Sequence, residues 1–216
     1  MMTNLFSTFD PCTGTLSMNW LSSMMIMFMF SYSFWINKNN LNWLMSNIMK
    51  KLMTELNSIK MNMKSTMIYI SMAMFILINN TMGLLPYVFT SPSHLVFSLS
   101  MALPMWTSFF LYGWINKPEH MFKHLVPMGT PMILMPFMVI IETISNFIRP
   151  GSLAVRLTAN MIAGHLLMSL LGNSCSIMMT FLIIKIYIML MLFETAVSLI
   201  QTYVFTVLTT LYSSEI

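Results

Sequence analysis

The apolar residues of this chain fall into long runs that short polar stretches interrupt. Residues 18–36, 66–89 and 93–115 each form a run of about the length that a helix needs to cross a hydrocarbon core of about 30 Å. Two further runs, 128–171 and 177–211, are longer than one crossing requires. The pattern therefore predicts an all-α fold with about five membrane helices.

Residues 41–64 follow a different pattern, in which apolar and basic positions share one helical repeat. The apolar positions recur at steps of three and four residues, and the basic ones lie between them: Leu44, Ile48, Leu52, Leu56 and Ile59, against Lys50, Lys51, Lys60 and Lys64. Such a helix has one apolar and one charged face, so we expect it on the membrane surface and not across the bilayer. A solvated connector is the alternative.

The last two runs are unusually long for membrane helices. A helix over 177–211 would be ~52 Å long, so it must protrude from the membrane or tilt by roughly 55°, against an average of about 20°. The run before it is longer still, although Pro150 and Gly151 could kink it. We expect these two helices to form a strongly tilted hairpin with a broad face toward a neighbour.

Composition supports a membrane protein. The sequence is 57% hydrophobic and 7% charged, whereas about a quarter of the residues in a soluble domain are charged. We therefore expect one membrane domain over residues 1–216. A net charge of +4 in such a chain does not indicate nucleic-acid binding. No cofactor or metal site is expected, because His120 and His124 have no evident third ligand.

The segment 149–168 is the strongest functional candidate, since it places charged residues within an apolar run. A charge at bilayer depth costs at least ~2.5–3.5 kcal/mol. Arg149 could snorkel to a helix end and His165 could be a packing residue, but Arg156 is far from any predicted end. At 100° per residue, Arg156 shares a small, polar stripe with Arg149, Ser152, Ala159, Asn160 and Ala163, while His165 points about the opposite way.

Acidic residues lie on both sides of Arg156. In the last helix Glu194, Ser198 and Gln201 share a stripe, and Glu194 is predicted to pair with His165 across the hairpin as a proton relay. Glu142 lies toward the other membrane face and is expected to be an unpaired carboxylate. The arrangement predicts two partial proton pathways that a permanent positive charge separates.

Several motifs resemble the subunit a family of the mitochondrial ATP synthase. They are Gly83-Leu-Leu-Pro86, Gly129-Thr-Pro131, Ile140-Ile-Glu-Thr-Ile-Ser145, Ala154-Val-Arg-Leu-Thr-Ala-Asn160, Ala163-Gly-His-Leu166 and the stretch from Glu194 to Phe205. The resemblance implies a stator subunit of the Fo sector that conducts protons through two offset half-channels. It also implies a c-subunit ring, a peripheral-stalk subunit b, small Fo membrane subunits and the lipid bilayer as partners, with no catalytic chemistry in this chain alone.

The resemblance also assigns roles to individual residues. Arg156 matches the arginine that faces the ring carboxylate, and Asn160 and Gln201 match its polar neighbours. The intermembrane-space half-channel would contain His165 and Glu194, with Ser198 beside them on the Glu194 stripe, and the matrix half-channel would contain Glu142. Arg149 departs from the usual family pattern, so its role stays open.

The resemblance implies the mitochondrial inner membrane, and the basic residues then suggest an orientation. With five spans, the basic segments 38–64 and 116–124 fall on one side, which the positive-inside rule makes the matrix. The N-terminus would face the intermembrane space and the C-terminus the matrix. An antiporter-like subunit of a respiratory complex, using Lys185, is the alternative function. A haem-binding cytochrome fails because only His165 lies clearly inside a span.

Overall fold

The computed structural model describes residues 5–12, 17–25, 39–59, 63–85, 88–126, 129, 131–173 and 180–214. Within these ranges the chain forms helices and short turns, with no strand. The predicted all-α membrane fold is confirmed. The α-helices are α1 (Asn40–Ile59), α2 (Met63–Gly83), α3 (Leu95–Asn116), α4 (Pro118–Leu125), α5 (Met135–Asn173) and α6 (Thr180–Ser214), and 3-10 helices cover Leu5–Phe9, Met18–Met25, Ser91–Ser93 and Met132–Leu134.

Four helices of the described chain are long and apolar enough to cross a membrane, namely α2, α3, α5 and α6. They correspond to the predicted runs 66–89, 93–115, 128–171 and 177–211. The predicted first span, 18–36, begins in the 3-10 helix Met18–Met25, and its residues from 26 onward lie outside the described part. A fifth span therefore stays a prediction.

The two long helices are longer than one bilayer crossing requires. Helix α5 has 39 residues and α6 has 35, which correspond to lengths of ~58 Å and ~52 Å. The pair Pro150–Gly151 does not end α5, which continues through Pro150 as one helix. The two helices pack against each other, and α5 also packs on α3 while α6 packs on α2.

The main core lies where these four helices meet. It contains Ile76 from α2, Ala102 from α3, Phe205 from α6, and the α5 residues Leu153, Ala154 and Leu157. Because α5 turns this apolar face toward the core, Arg156, which lies about 100° around the helix from the centre of that face, is left exposed.

Helix α1 has the amphipathic character that its spacing predicts. Lys50, Lys51 and Glu55 are exposed, whereas Leu56 is buried against Tyr69 and Ile70 of α2. The predicted apolar stripe is only partly buried. Leu44 at one end is exposed, whereas α2 covers the other end. Lys60 and the side chain of Lys64 lie outside the described residues, and the position of α1 at the membrane surface stays a prediction.

Candidate functional site

Arg156 lies on the exposed face of α5, near the middle of a membrane span. No hydrogen bond or ion pair joins its guanidinium group to another described residue. The nearer end of α5 is 17 residues away at Asn173, or ~26 Å along the helix axis. That distance is too great for the side chain to reach either end of the helix. The remaining members of the predicted stripe are also exposed, except for the partly buried Arg149: Ser152, Ala159, Asn160 and Ala163.

Asn160 and Gln201 meet one helical turn beyond Arg156. The Asn160 Nδ2 atom donates a hydrogen bond of 3.1 Å to Gln201 Oε1. Gln201 is buried and Asn160 is exposed, so the pair connects the interior of the hairpin to its outer face. It also fixes α5 and α6 relative to each other beside the arginine.

Glu194 lies in a cavity of about 240 Å³ between α2, α5 and α6. The Glu194 side chain is buried, and neither carboxylate oxygen has a hydrogen-bond partner among the described residues. Asn80, also buried, lines the same cavity, and neither atom of its amide is hydrogen-bonded there. Ser198 lines it too, but its hydroxyl donates to the Thr195 carbonyl at 2.8 Å. Buried polar groups without partners are costly, which is consistent with a site that admits water or an exchanging proton.

The Glu194 carboxylate packs directly against the backbone of α5 at Gly164. A Cβ atom at position 164 would lie 2.7 Å from both Cδ and Oε1 of Glu194. Real side chains do not approach so closely, so the absence of a side chain at Gly164 is what makes room for the carboxylate.

His165 lies in a separate cavity of about 470 Å³, lined also by Asp10, Asn19, Thr90, Ser169 and Tyr187. The Nε2 atom of its ring is buried and has no hydrogen-bond partner among the described residues.

The predicted pairing of His165 with Glu194 is wrong. No hydrogen bond or ion pair joins the two side chains in the described structure, and only Leu84 lines both cavities. The reason is helical geometry. Gly164 faces Glu194, and the next residue points about 100° away, toward the connection between α2 and α3. The two groups therefore line adjacent compartments and do not form a pair.

Glu142 is not the unpaired carboxylate that the sequence suggested. Its Oε1 atom lies 3.8 Å from Arg149 Nη2, and the Arg149 guanidinium lies 5.0 Å from the centre of the Tyr212 ring. The same three residues line a cavity of about 200 Å³ with Trp106, His124 and Asn146. The partly buried Arg149 side chain is therefore not part of the exposed face that carries Arg156. It links α5 to the C-terminal end of α6.

Sequence reasoning missed Asn80 and Asp10 as cavity residues. Two adjacent asparagines in the apolar run 66–89 were a signal for Asn80, since polar side chains inside a span are rare and commonly functional. Asp10 had no comparable signal, because residues 1–17 show neither a long apolar run nor a helical repeat.

Comparison with known proteins identifies similar chains over the full length. A family model described as ATP synthase A chain matches residues 16–214. ATP synthase subunit a of Anopheles gambiae is 53% identical, that of Drosophila melanogaster 54% and that of Locusta migratoria 53%, each covering 100% of both chains. The matched region includes all six helices and the Arg156, Glu194, His165 and Glu142 sites.

Proposed function

The chain belongs to the ATP synthase A chain family, and we propose from this that it is the proton-conducting stator subunit of the Fo sector. In this role it carries protons through two offset half-channels to and from the carboxylate of a rotating c ring. The chain itself performs no bond-making chemistry. It couples proton movement to rotation, and catalytic sites elsewhere in the assembly use that rotation.

The exposed position of Arg156 in the middle of a span is the single observation that carries this proposal. An exposed guanidinium group without a partner among the described residues, in the middle of a span, would be costly against lipid. A carboxylate on a neighbouring protein would remove that cost through a charge-assisted contact. The small exposed residues Ala159 and Ala163 beside Arg156 would allow a neighbouring helix to approach closely. The carboxylates of a c ring fit this requirement.

We assign the three cavities to the two half-channels by their positions along α5. Along α5, Glu142 lies 14 residues before Arg156 and His165 nine residues after it, about 21 Å and 14 Å at 1.5 Å per residue. We assign the His165 and Glu194 cavities, with Ser198 in the wall, to one half-channel and the Glu142 cavity to the other. Asn160 and Gln201 would meet the ring carboxylate next to Arg156.

The alternative, an antiporter-like subunit, receives no support from the relatives named above, which are all ATP synthase subunits. Lys185, which that function would use, is exposed on α6 and lines none of the three cavities. We place the chain in the mitochondrial inner membrane as a multi-pass protein beside the c ring, subunit b and small Fo subunits. From the basic segments, the N-terminus would face the intermembrane space and the C-terminus the matrix.

Replacing Glu194 by glutamine tests the proposed function. The substitution keeps the size of the side chain but removes its ability to exchange a proton. We expect proton flux to fall about 100-fold, within the usual range for loss of an acid–base group, in a complex that still assembles. The measurement is ATP-driven proton pumping in vesicles, with Glu55→Gln on the exposed face of α1 as control. Unchanged flux at every pH would remove Glu194 from the pathway.

Substitutions at Glu142 and Arg149 test the second half-channel. We expect Glu142→Leu to slow proton-driven ATP synthesis roughly 100-fold, the lower end of the usual effect of losing a proton-exchanging group. Arg149→Gln should reduce it less, because Glu142 remains, and Arg149→Lys should keep most of the activity. The Glu142 and Arg149 side chains contact each other. Combining Glu142→Leu with Arg149→Gln should therefore lower the synthesis rate by less than the product of the two single effects. Normal synthesis in the Glu142→Leu complex would require another matrix pathway.

A further inference from the structure

The N-terminal segment, residues 5–12, covers the cavity in which His165 lies. The Phe9 carbonyl accepts a 2.9 Å hydrogen bond from His94 Nε2, and the Phe9 ring meets His165 edge-on, with 6.1 Å between the ring centres. Residues Ser7, Thr8 and Asp10 line the cavity wall. Residues 5–12 therefore form part of the wall of this cavity.

Residues 17–25 pack beside the N-terminal segment and contact the same connection between α2 and α3. Trp20 packs against both His94 and Phe89, at 5.2 and 5.5 Å between ring centres. The Ser22 hydroxyl donates a 3.2 Å hydrogen bond to the Phe89 carbonyl. Together these contacts anchor the N-terminal part of the chain to the connection between α2 and α3.

Asp10 contributes an exposed carboxylate to the wall of this cavity. Its Oδ1 atom accepts a hydrogen bond from the Cys12 backbone at 3.3 Å, and its own carbonyl accepts one from the Asn19 side chain, also at 3.3 Å. The residue is exposed yet lines the same cavity as the partly buried His165. A carboxylate at the mouth of a cleft raises the local proton concentration by its charge and can itself carry a proton.

We propose that Asp10 is the proton-collecting residue of the His165 half-channel and that residues 5–12 form its entrance. This inference rests on the proposed function, in which His165 lies on a proton pathway. A water-borne acid protonates the Asp10 carboxylate, which passes the proton through water in the cavity to the Nε2 atom of His165. The carboxylate is regenerated, and the imidazole passes its proton on toward Glu194.

The unpartnered ring nitrogen of His165 can receive this proton. The Nε2 atom is buried and has no hydrogen-bond partner among the described residues. In the neutral ring that carries its hydrogen on Nδ1, the Nε2 lone pair can accept a proton. The other titratable group lining the cavity is Tyr187. His94 lies beside the cavity, bound to Phe9, and Glu194 lies beyond Gly164.

The test compares Asp10→Asn with Asp10→Glu in the whole ATP synthase reconstituted in vesicles. With little buffer and alkaline pH on the His165 side, Asp10→Asn should lower proton flux about 10-fold, the lower end of electrostatic focusing effects, and Asp10→Glu should restore it. A high concentration of a small mobile buffer should relieve the deficit, because the buffer then delivers the protons. A purely structural defect would not respond to buffer. Glu119→Gln, an exposed acid on α4, is the matched control.

Restoring a carboxylate chemically at position 10 distinguishes a loss of proton collection from a folding defect. Asp10→Cys is made in a chain whose own cysteines, Cys12 and Cys175, are replaced by serine. After assembly, alkylation with iodoacetate places a carboxylate at position 10 and should raise flux about 10-fold, whereas iodoacetamide adds a neutral group and should not. Equal flux after both reagents, or a deficit of Asp10→Asn that buffer leaves unchanged, would overturn the proposal.

The Glu194→Gln variant in the same assay keeps the two hypotheses distinct. Normal flux in Glu194→Gln would refute the pathway itself. A block in Glu194→Gln together with normal flux in Asp10→Asn would refute only the assignment of Asp10.

Discussion

Replacing Arg156 by alanine is expected to abolish proton-driven ATP synthesis in an assembled complex and to open a passive proton leak. A ring carboxylate that passes a fixed guanidinium group must be ionised, because the positive charge favours the charged form. The carboxylate therefore releases its proton to one half-channel before it receives another from the second. Without the guanidinium group a protonated carboxylate could move between them directly. The driving energy, about 2.3 kcal/mol per charge and 100 mV, would then be lost.

Vesicles with an imposed membrane potential measure both effects, as the rate of ATP synthesis and the rate of proton entry without nucleotide. Arg156→Lys should also fail to synthesise ATP normally, because a lysine can deprotonate when it is desolvated and arginine cannot. Lys185→Ala removes an exposed cation of α6 that lines none of the three cavities, and should leave synthesis unchanged. A normal synthesis rate in the assembled Arg156→Ala enzyme would contradict the separator role.

Replacing Gly164 by alanine is expected to reduce proton flux nearly as much as removal of the Glu194 carboxylate. The added Cβ would lie 2.7 Å from the Glu194 carboxylate, so the carboxylate must move within a closely packed hairpin. A displacement of about 1 Å at a reacting group can cost about 100-fold in rate. Gly172→Ala is the matched control, since Gly172 is on the same helix and a Cβ atom added there would have no described neighbour within 4 Å.

A compensating substitution sharpens this test. Aspartate at position 194 is one methylene shorter, so Gly164→Ala with Glu194→Asp should recover part of the flux that Gly164→Ala loses. The measurement is ATP-driven pumping of each variant, normalised to the amount of assembled complex. Equal flux in Gly164→Ala and Gly172→Ala would show that the close approach of Glu194 to α5 has no role in proton transfer.

The sequence by itself determined the fold class and the exposed position of Arg156. Long apolar runs require membrane helices, and one helical repeat fixes which side chains share a face. Arg156 lies about 100° around the helix from the centre of the face formed by Leu153, Ala154 and Leu157, so it falls outside that core-facing side. The amphipathic character of α1 follows from the same local rule.

Only the tertiary structure decided which polar groups meet. Side chains one residue apart on a helix point about 100° apart, so a small difference in how α5 and α6 are rotated and offset changes every cross-helix pair. This is why Glu194 meets Gly164 and leaves His165 to a different cavity, and why Arg149 turns to Glu142 and Tyr212. The placement of Asp10 depends on the hydrogen bond between its neighbour Phe9 and His94, which are 85 residues apart in sequence. No local pattern encodes such a contact, because it forms only when distant segments are packed together.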